Sequence, residues 1–341
     1  MIIDIISVVP KKDSERREIK LNNLKIFACN SAEDFAKRVC KEIGVELGSK
    51  EAFKFKNDNT FVRILETVRE DDVFVFQTIQ PPVDERVMEL LITLDALKRA
   101  SPRRITAVVP YYPYARSDKK DQPRIPITSK LVADLLVTAG ADRVLTCDLH
   151  NPAIQGFIEA PSDQLRAKDL LIGYFKPIIG DNKDDYVVVA TDAGSSKNAY
   201  KYAKRLGTQI ALVDKRRDGN DDKAIAGHVI GEVEGKTCII FDDEIDTAGS
   251  MMEAVRVLKD NGAGDVYAAC THGVLSAEAI EKIKDDSLKK LVITNTVPLT
   301  EEKKLDKIEV LDIAPLFGKA ILKIHKGEAI GDLFEDHKME F

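Results

Sequence analysis

The sequence predicts an α/β fold of two mostly parallel sheets flanked by helices, and three observations carry that expectation. Short apolar runs rich in β-branched residues alternate with stretches whose apolar residues recur at helical spacing. The chain has 341 residues, more than one hydrophobic core usually serves. The unusual polar clusters follow the ends of the apolar runs, which is where parallel sheets place their ligands.

In order along the chain, residues 1–23 read as an N-terminal extension with a short apolar start and a charged KKDSERREIK stretch. Lys25–Ala28 predicts a strand. Ser31 with Asp34 resembles a capping box before a helix carrying Phe35, Val39, Cys40 and Ile43, closed by Gly44. Val73–Gln77 predicts a strand, Pro81-Pro82 breaks the chain, and Asp84 is expected to cap a helix with Val87, Leu91 and Leu94. Ile105–Val109 predicts a strand that runs into PYYPYARSDKKDQPRIP, too rich in proline and charge for a regular element. A helix from Thr128 to Gly140 and a strand Val144–Cys147 lead to Asp148-Leu149-His150.

The pattern then repeats. Val187–Ala190 predicts a strand, Thr191–Ser196 a loop, and Ala199, Tyr202, Ala203 and Leu206 a helical stripe ending at Gly207. Ile210–Val213 predicts a strand leading into Asp214-Lys215-Arg216-Arg217. Thr237–Phe241 predicts a buried strand that Asp242 and Asp243 should end. The small-residue loop Asp246–Ser250 follows, then a helix with Met251, Ala254, Val255 and Leu258 and Gly262 as its C-cap. Val266–Cys270 and Leu291–Asn295 predict further strands.

Composition excludes several function classes. The net charge of −6 gives no global basic field for nucleic acid, so any anion site must be local. The apolar runs are far too short to span a membrane, and the charges of the N-terminus do not suit a signal peptide. The five cysteines are scattered, odd in number and mostly inside apolar runs, which suggests reduced core residues of a cytoplasmic protein; none has zinc spacing.

Four clusters carry chemistry. The orphan N–H groups of the Asp246–Ser250 loop and the following helix, with the Thr247 and Ser250 hydroxyls, suit a phosphate monoester. The Asp242–Asp243 pair before them suits vicinal hydroxyls or a hydrated divalent cation, so the stretch fits a sugar phosphate; an acidic turn before a capped helix has the same pattern. His150 reads either as an ordinary hydrogen-bonded histidine or as a site residue, and Asp192 is the better magnesium ligand because that ion prefers oxygen. Lys215, Arg216 and Arg217 read as a solvated turn or as a mobile cationic arm for a reacting phosphoryl group. Tyr111–Lys120 offers Arg116 for phosphates and aromatic rings for a base, or is a packed tyrosine-rich loop.

The stretch Asp242-Asp-Glu-Ile-Asp-Thr247 with Gly249-Ser250 resembles the PRPP-binding loop of the type I phosphoribosyltransferase fold. Together with Pro110–Arg116, Asp148–His150, Gln155–Phe157, Asp192–Gly194 and Asp214–Arg217 in this order, it resembles the class I ribose-phosphate pyrophosphokinases from about Leu24 to Phe334. The resemblance implies two similar phosphoribosyltransferase-like domains, residues 24–165 and 166–319, with the tail 320–341 returning to the first. It implies transfer of the diphosphoryl group of ATP to ribose 5-phosphate, Mg²⁺ dependence, and a homo-oligomer, a hexamer built from dimers. By position, Asp242, Asp243, Asp246, Thr247, Ala248, Gly249 and Ser250 would hold ribose 5-phosphate. His150 and Asp192 would sit at the metal, with His150 also at ATP. Arg116, Ser117 and Asp118 would line the ATP phosphates. Lys215 and Arg217, with His150, would be catalytic. Phe55, Asn57 and Asn59 would reach the adenine of ATP on a neighbouring subunit.

The chain departs from the family pattern at Asn57 and Asn59, where carboxylates are usual, at Ser117 for glutamine, at Ala248 for glycine, and at Ala329-Ile-Gly-Asp332, which lacks hydroxyls. Amides in place of acceptor-only groups should relax donor choice. Two other readings stand beside this one: a non-catalytic regulatory subunit, prompted by the altered base-binding residues, and a PRPP-consuming transferase, which would not need the first half.

Overall fold

The computed structural model describes residues 23–214 and 227–334. The expected extension 1–23 and the Lys215–Arg217 arm therefore lie outside the described residues, except Asn23.

The first half runs β1 (Leu24–Ala28), α1 (Glu33–Ile43), a hairpin of β2 (Lys50–Lys54) and β3 (Thr60–Ile64), β4 (Asp72–Phe76), α2 (Val83–Arg99), β5 (Arg104–Val109), α3 (Thr128–Ala139), β6 (Arg143–Cys147) and β7 (Ser162–Leu165). The second runs α4 (Lys168–Ile179), β8 (Tyr186–Ala190), α5 (Ser196–Leu206), β9 (Gln209–Asp214), β10 (His228–Ile230), β11 (Thr237–Ile245), α6 (Gly249–Asp260), β12 (Val266–Gly273), α7 (Ala279–Ile283), β13 (Lys290–Thr294), β14 (Ile308–Leu311) and α8 (Ala314–Lys326).

These strands form two sheets. One has the order β1-β4-β5-β6-β7 and is parallel throughout. The other has the order β10-β9-β8-β11-β12-β13-β14 and is parallel except for β9–β10. Near-continuous runs such as DVFVF and YVVVA become strands because both faces are covered, so alternation is not required. In the first sheet α1 and α8 pack on one face, and α2 and α3 on the other. In the second, α6 and α7 cover one face and α4 and α5 the other.

Helix α8 returns from the second sheet to the first, where Phe317 packs edge-on against Phe35 at 5.2 Å. Its C-terminal turn is held by a buried charge network. Asp72 has no exposed surface and accepts from Arg104 Nε at 2.8 Å and Nη2 at 2.6 Å, with His325 Nδ1 at 2.8 Å. Arg104 Nη2 also donates to the Ile324 carbonyl at 3.0 Å.

Three local expectations are overturned, each by a tertiary contact. Ser31 does not cap α1, whose N-cap is Ala32; its hydroxyl bonds the Gln77 side chain and donates to the Thr78 carbonyl at 2.8 Å. Asp84 does not cap α2, which starts after Pro82; its carboxylate takes the Tyr114 hydroxyl. Asp242 and Asp243 do not end their strand, because β11 continues to Ile245 and stays in register with β12 as far as Gly273.

Asp72→Asn removes the carboxylate between Arg104 and His325 and is expected to cost on the order of 3 kcal/mol at neutral pH. Burial raises the Asp72 carboxyl, but His325 and Arg104 outweigh that and hold it below its usual value. Its contribution is therefore complete above the unfolded-state value and fades as pH falls through the folded one. Urea unfolding of parent and variant at pH 7 and pH 3 measures this. The difference should be large at pH 7 and shrink at pH 3, and equal stabilities at pH 7 contradict it.

Candidate active site

The site forms where the carboxyl ends of β6 and β11 meet. β8 pairs with β11 only as far as Ile240, so beyond Phe241 the strand keeps β12 alone as a ladder partner. There the Asp243 N–H donates to Asp242 Oδ1 at 2.9 Å, and the carboxylates reach the first half. Asp243 Oδ2 lies 2.8 Å from His150 Nδ1. Glu244, buried, has Arg116 Nε at 2.8 Å from its Oε1, a charge contact off the N–H axis that makes no hydrogen bond. Arg116 Nη1 also lies 3.6 Å from Asp246 Oδ2.

A cavity of about 520 Å³ opens beside this meeting point, lined by Asp148 and His150, Asp192 and Ser195, and Asp242 and Asp243. Arg166, Lys168, Lys197 and Lys201 also line it. Acidic and basic groups facing one space suit a phosphorylated ligand that arrives with a divalent cation. Asp192 and Ser195 fix their turn reciprocally: Asp192 Oδ1 accepts from Ser195 N at 2.7 Å, and Ser195 Oγ donates to the Asp192 carbonyl at 3.0 Å.

The Asp246–Ser250 loop closes the end of β11. Ser276 holds Asp246 twice, by its hydroxyl to Oδ1 and by its N–H to the carbonyl at 3.0 Å. Lys282 Nζ donates to the Thr247 carbonyl at 3.1 Å. Ala248, at φ +57°, is the N-cap of α6 and offers no capping side chain, so the first N–H groups of α6 are not capped from that position. The preference for glycine at a left-handed position is thus met here by alanine at some conformational cost.

The structure brings His150, Asp192, Asp242 and Asp243 to one cavity; Arg116 and the Asp246–Ser250 loop do not line it, and Arg116 meets Glu244 and Asp246 instead. Asp118 is next to it, accepting from Asn151 Nδ2 at 2.6 Å. Ser117 is turned to α3, with its Oγ 3.3 Å from Thr128 Oγ1. Phe55, Asn57 and Asn59 stand apart on the tip of the β2–β3 hairpin and do not line the cavity. Asn57 Oδ1 accepts from the Asn59 N–H at 3.3 Å, and Phe55, half exposed, packs edge-on against Phe53 at 5.1 Å.

Burial, then the neighbouring Asp243, pushes the Asp242 carboxyl up to about 8. Burial also raises Asp243, but hydrogen bonds from His150 and Asp242 outweigh it and hold that carboxyl low. The same bond to Asp243 raises the His150 imidazole against the effect of burial. Among the described residues no three His, Cys, Asp or Glu side chains are gathered to grip an ion. The donor set nevertheless fits magnesium: Asp192, Asp242 and Asp243 line one cavity, and a carboxyl pushed up to about 8 by burial and by Asp243 would be relieved by a cation.

Sequence reasoning missed several residues here. Glu244, His272, Ser276 and Lys282 act through contacts distant in sequence, and the cations lining the cavity carry no motif of their own.

Comparisons with known proteins fall on the same elements. Residues 24–140 match the N-terminal domain of ribose phosphate pyrophosphokinase, and residues 222–335 match the phosphoribosyl synthetase-associated domain. Proteins named ribose-phosphate pyrophosphokinase from Bacillus cereus and Clostridium acetobutylicum are 47% and 48% identical over 92% of this chain and 98% of theirs. The chain belongs to the ribose-phosphate pyrophosphokinase family. The crystal structure of phosphoribosylpyrophosphate synthetase from Mycobacterium smegmatis superposes with a TM-score of 0.84 at 44% identity, covering 89% of this chain and 99% of that one. The fold is thus α/β with parallel sheets flanked by helices, as the sequence implies, and the chain is an enzyme of this family.

If Asp243 is what raises His150, Asp243→Asn should return the His150 imidazole toward its ordinary value. A proton NMR titration of the histidine rings, with His150→Ala for assignment, measures it. An unmoved His150 titration in Asp243→Asn contradicts the pairing.

Proposed function

We propose that the cavity between the ends of β6 and β11 is where this enzyme carries out diphosphoryl transfer from ATP to the 1-hydroxyl of ribose 5-phosphate, yielding PRPP and AMP. The observation that carries this assignment is the contact His150–Asp243, which brings the end of one sheet and the carboxylates of the other to one cavity. On this reading residues 24–165 and 166–319 form two domains with the site between them, except that α8, from Ala314 onward, packs with the first.

Each group has a role set by its position. Asp242 and Asp243 take the ribose hydroxyls, and the loop Asp246–Ser250 takes the 5-phosphate on the N–H groups at the start of α6. Arg116 turns toward the phosphates of ATP, with Asp118 beside it and Ser117 fixing the start of α3. His150 and Asp192 would sit at the metal, which Asp242 and Asp243 also face, and His150 would reach ATP as well. Magnesium supplies charge neutralisation on the phosphate oxygens when bound. Lys215 and Arg217, outside the described residues, take from the family resemblance the role of stabilising the diphosphoryl group in transit. The new bond joins the ribose O1 to the β-phosphorus, the bond from that phosphorus to the oxygen of the α-phosphate breaks, and AMP leaves; no covalent enzyme intermediate is required.

Phe55, Asn57 and Asn59 cannot serve the cavity of their own chain from the hairpin tip, which supports their reading the adenine of a neighbouring subunit in a homo-oligomer. No helix among the described residues is long and apolar enough to cross a membrane, and we take the enzyme to be cytoplasmic. The retained cluster of His150, Asp192 and Asp243 around one cavity favours catalysis over a regulatory subunit.

Purified chain incubated with ATP, Mg²⁺ and ribose 5-phosphate should release AMP and PRPP in equal amounts. Asp246→Ala should raise the KM for ribose 5-phosphate, and Lys215→Ala or Arg217→Ala should lower kcat about a hundredfold with smaller effects on binding. Release of ADP instead of AMP, or unchanged ribose 5-phosphate saturation in Asp246→Ala, contradicts the assignment.

A further inference from the structure

His272 lies outside the reacting groups yet touches both halves of the molecule. Only 2% of its surface is exposed, at the penultimate position of β12 before Gly273. Its Nε2 lies 3.1 Å from the Cys147 carbonyl and 3.1 Å from the Asp148 carbonyl, both at the end of β6. Its Nδ1 lies 2.9 Å from Thr296 Oγ1, and the Tyr111 ring centroid is 5.0 Å from the imidazole.

These contacts fix a proton on one ring nitrogen. Carbonyl oxygens only accept, so Nε2 carries a proton and donates to them. Nδ1 shares the Thr296 hydroxyl with the Thr271 carbonyl, which lies 3.0 Å from the same oxygen. The neighbouring groups are satisfied in the same pattern: Thr294 Oγ1 donates to the Thr271 carbonyl at 2.7 Å and accepts from the Thr296 N–H at 3.3 Å. The buried ring is therefore held at both nitrogens.

The residue it holds is strained. Asp148 has φ +31°, a left-handed conformation unusual for a residue with a side chain. Its side chain is anchored as well, with Oδ2 accepting from Ala167 N at 2.8 Å and from Thr271 Oγ1 at 2.7 Å. Thr271 and His272 thus grip, respectively, the side chain and the backbone of one residue on the opposite sheet. Two residues further on is His150, whose Nδ1 lies 2.8 Å from Asp243. In the β11–β12 ladder His272 is paired with Glu244, the residue after Asp243.

We propose that His272 is a positioning residue for the transfer reaction: by clamping the Cys147 and Asp148 carbonyls to β12, it sets the strained turn that places His150 against Asp243. The proposal rests on the functional reading above, in that His150 serves the reaction. It differs from a packing role because the ring acts through one directed N–H rather than through its volume. A misplacement of His150 should impair the transferring geometry more than substrate affinity.

The test uses the full chain with His272→Ala, His272→Gln and Thr296→Val, each checked for folding by circular dichroism and for kcat and both KM values. His272→Ala is expected to lose about a hundredfold in kcat while the KM values for ATP and ribose 5-phosphate change by less than about threefold. His272→Gln places an amide N–H near the same carbonyls and should recover at least about tenfold of that loss. Thr296→Val, which keeps the ring but removes the hydroxyl that fixes it, should fall between parent and His272→Ala. The nitrogen shifts of His272 in the labelled parent give a readout independent of activity, with Nε2 protonated.

A folded His272→Ala with near-parental kcat, a glutamine variant no better than alanine, losses confined to the KM values, or the opposite tautomer would each overturn the proposal. If His272→Ala does not fold, the same comparison is made between parent, His272→Gln and Thr296→Val, and a folded Thr296→Val at parental kcat overturns it. A parent that forms no PRPP would defeat the functional reading instead, while the tautomer measurement would still decide whether the clamp exists.

Discussion

Asp242, Asp243, Glu244 and Asp246 crowd the end of one strand, and a strand end carrying that much negative charge is tolerable only with compensation from elsewhere. The first half of the chain supplies part of it. Arg116 meets Glu244 and Asp246, and His150 meets Asp243. Burial, with Asp243 beside it, still holds the Asp242 carboxyl up at about 8. The same carboxylates tie the two sheets together, so the junction and the site are built from one set of contacts.

The fold arranges this meeting through parallel topology. Both sheets bring their carboxyl ends to the junction, and loops there can vary without disturbing either core. The seam is polar where cores are usually apolar. Thr78 Oγ1 donates to the Thr296 carbonyl at 2.9 Å, Thr271 bonds Asp148, and His272 bonds the Cys147 and Asp148 carbonyls. Directed bonds fix relative position more closely than apolar contact of similar extent, and catalysis of phosphoryl transfer depends mainly on position and charge.

The architecture was legible in the sequence because its signals are local. Strands such as Val187–Ala190 and helices such as Phe35–Ile43 appear within a residue or two of their places, since burial on both faces leaves long apolar runs and amphipathic stripes. The hairpin β2–β3 was not read as strands, because KEAFK and TFVRI are mixed in charge and half exposed. Ser31 and Asp84 failed as caps because side chains far along the chain claimed them, which no local rule can foresee. At the site, the acidic strand end and His150 stand out in the sequence by their types. His272 does not: a single histidine in an apolar strand reads as core, and only its contacts with residues more than a hundred positions earlier give it a role.

The central claim is that His150 and Asp243, on opposite sides of the seam, act as one unit in the reaction. A double-mutant cycle on kcat/KM with His150→Ala, Asp243→Ala and the double variant tests it most directly. If they act together, the double variant should be little worse than the more damaged single variant. Losses that multiply would mean that the two residues work independently, and that the contact between the sheets is not what organises the site.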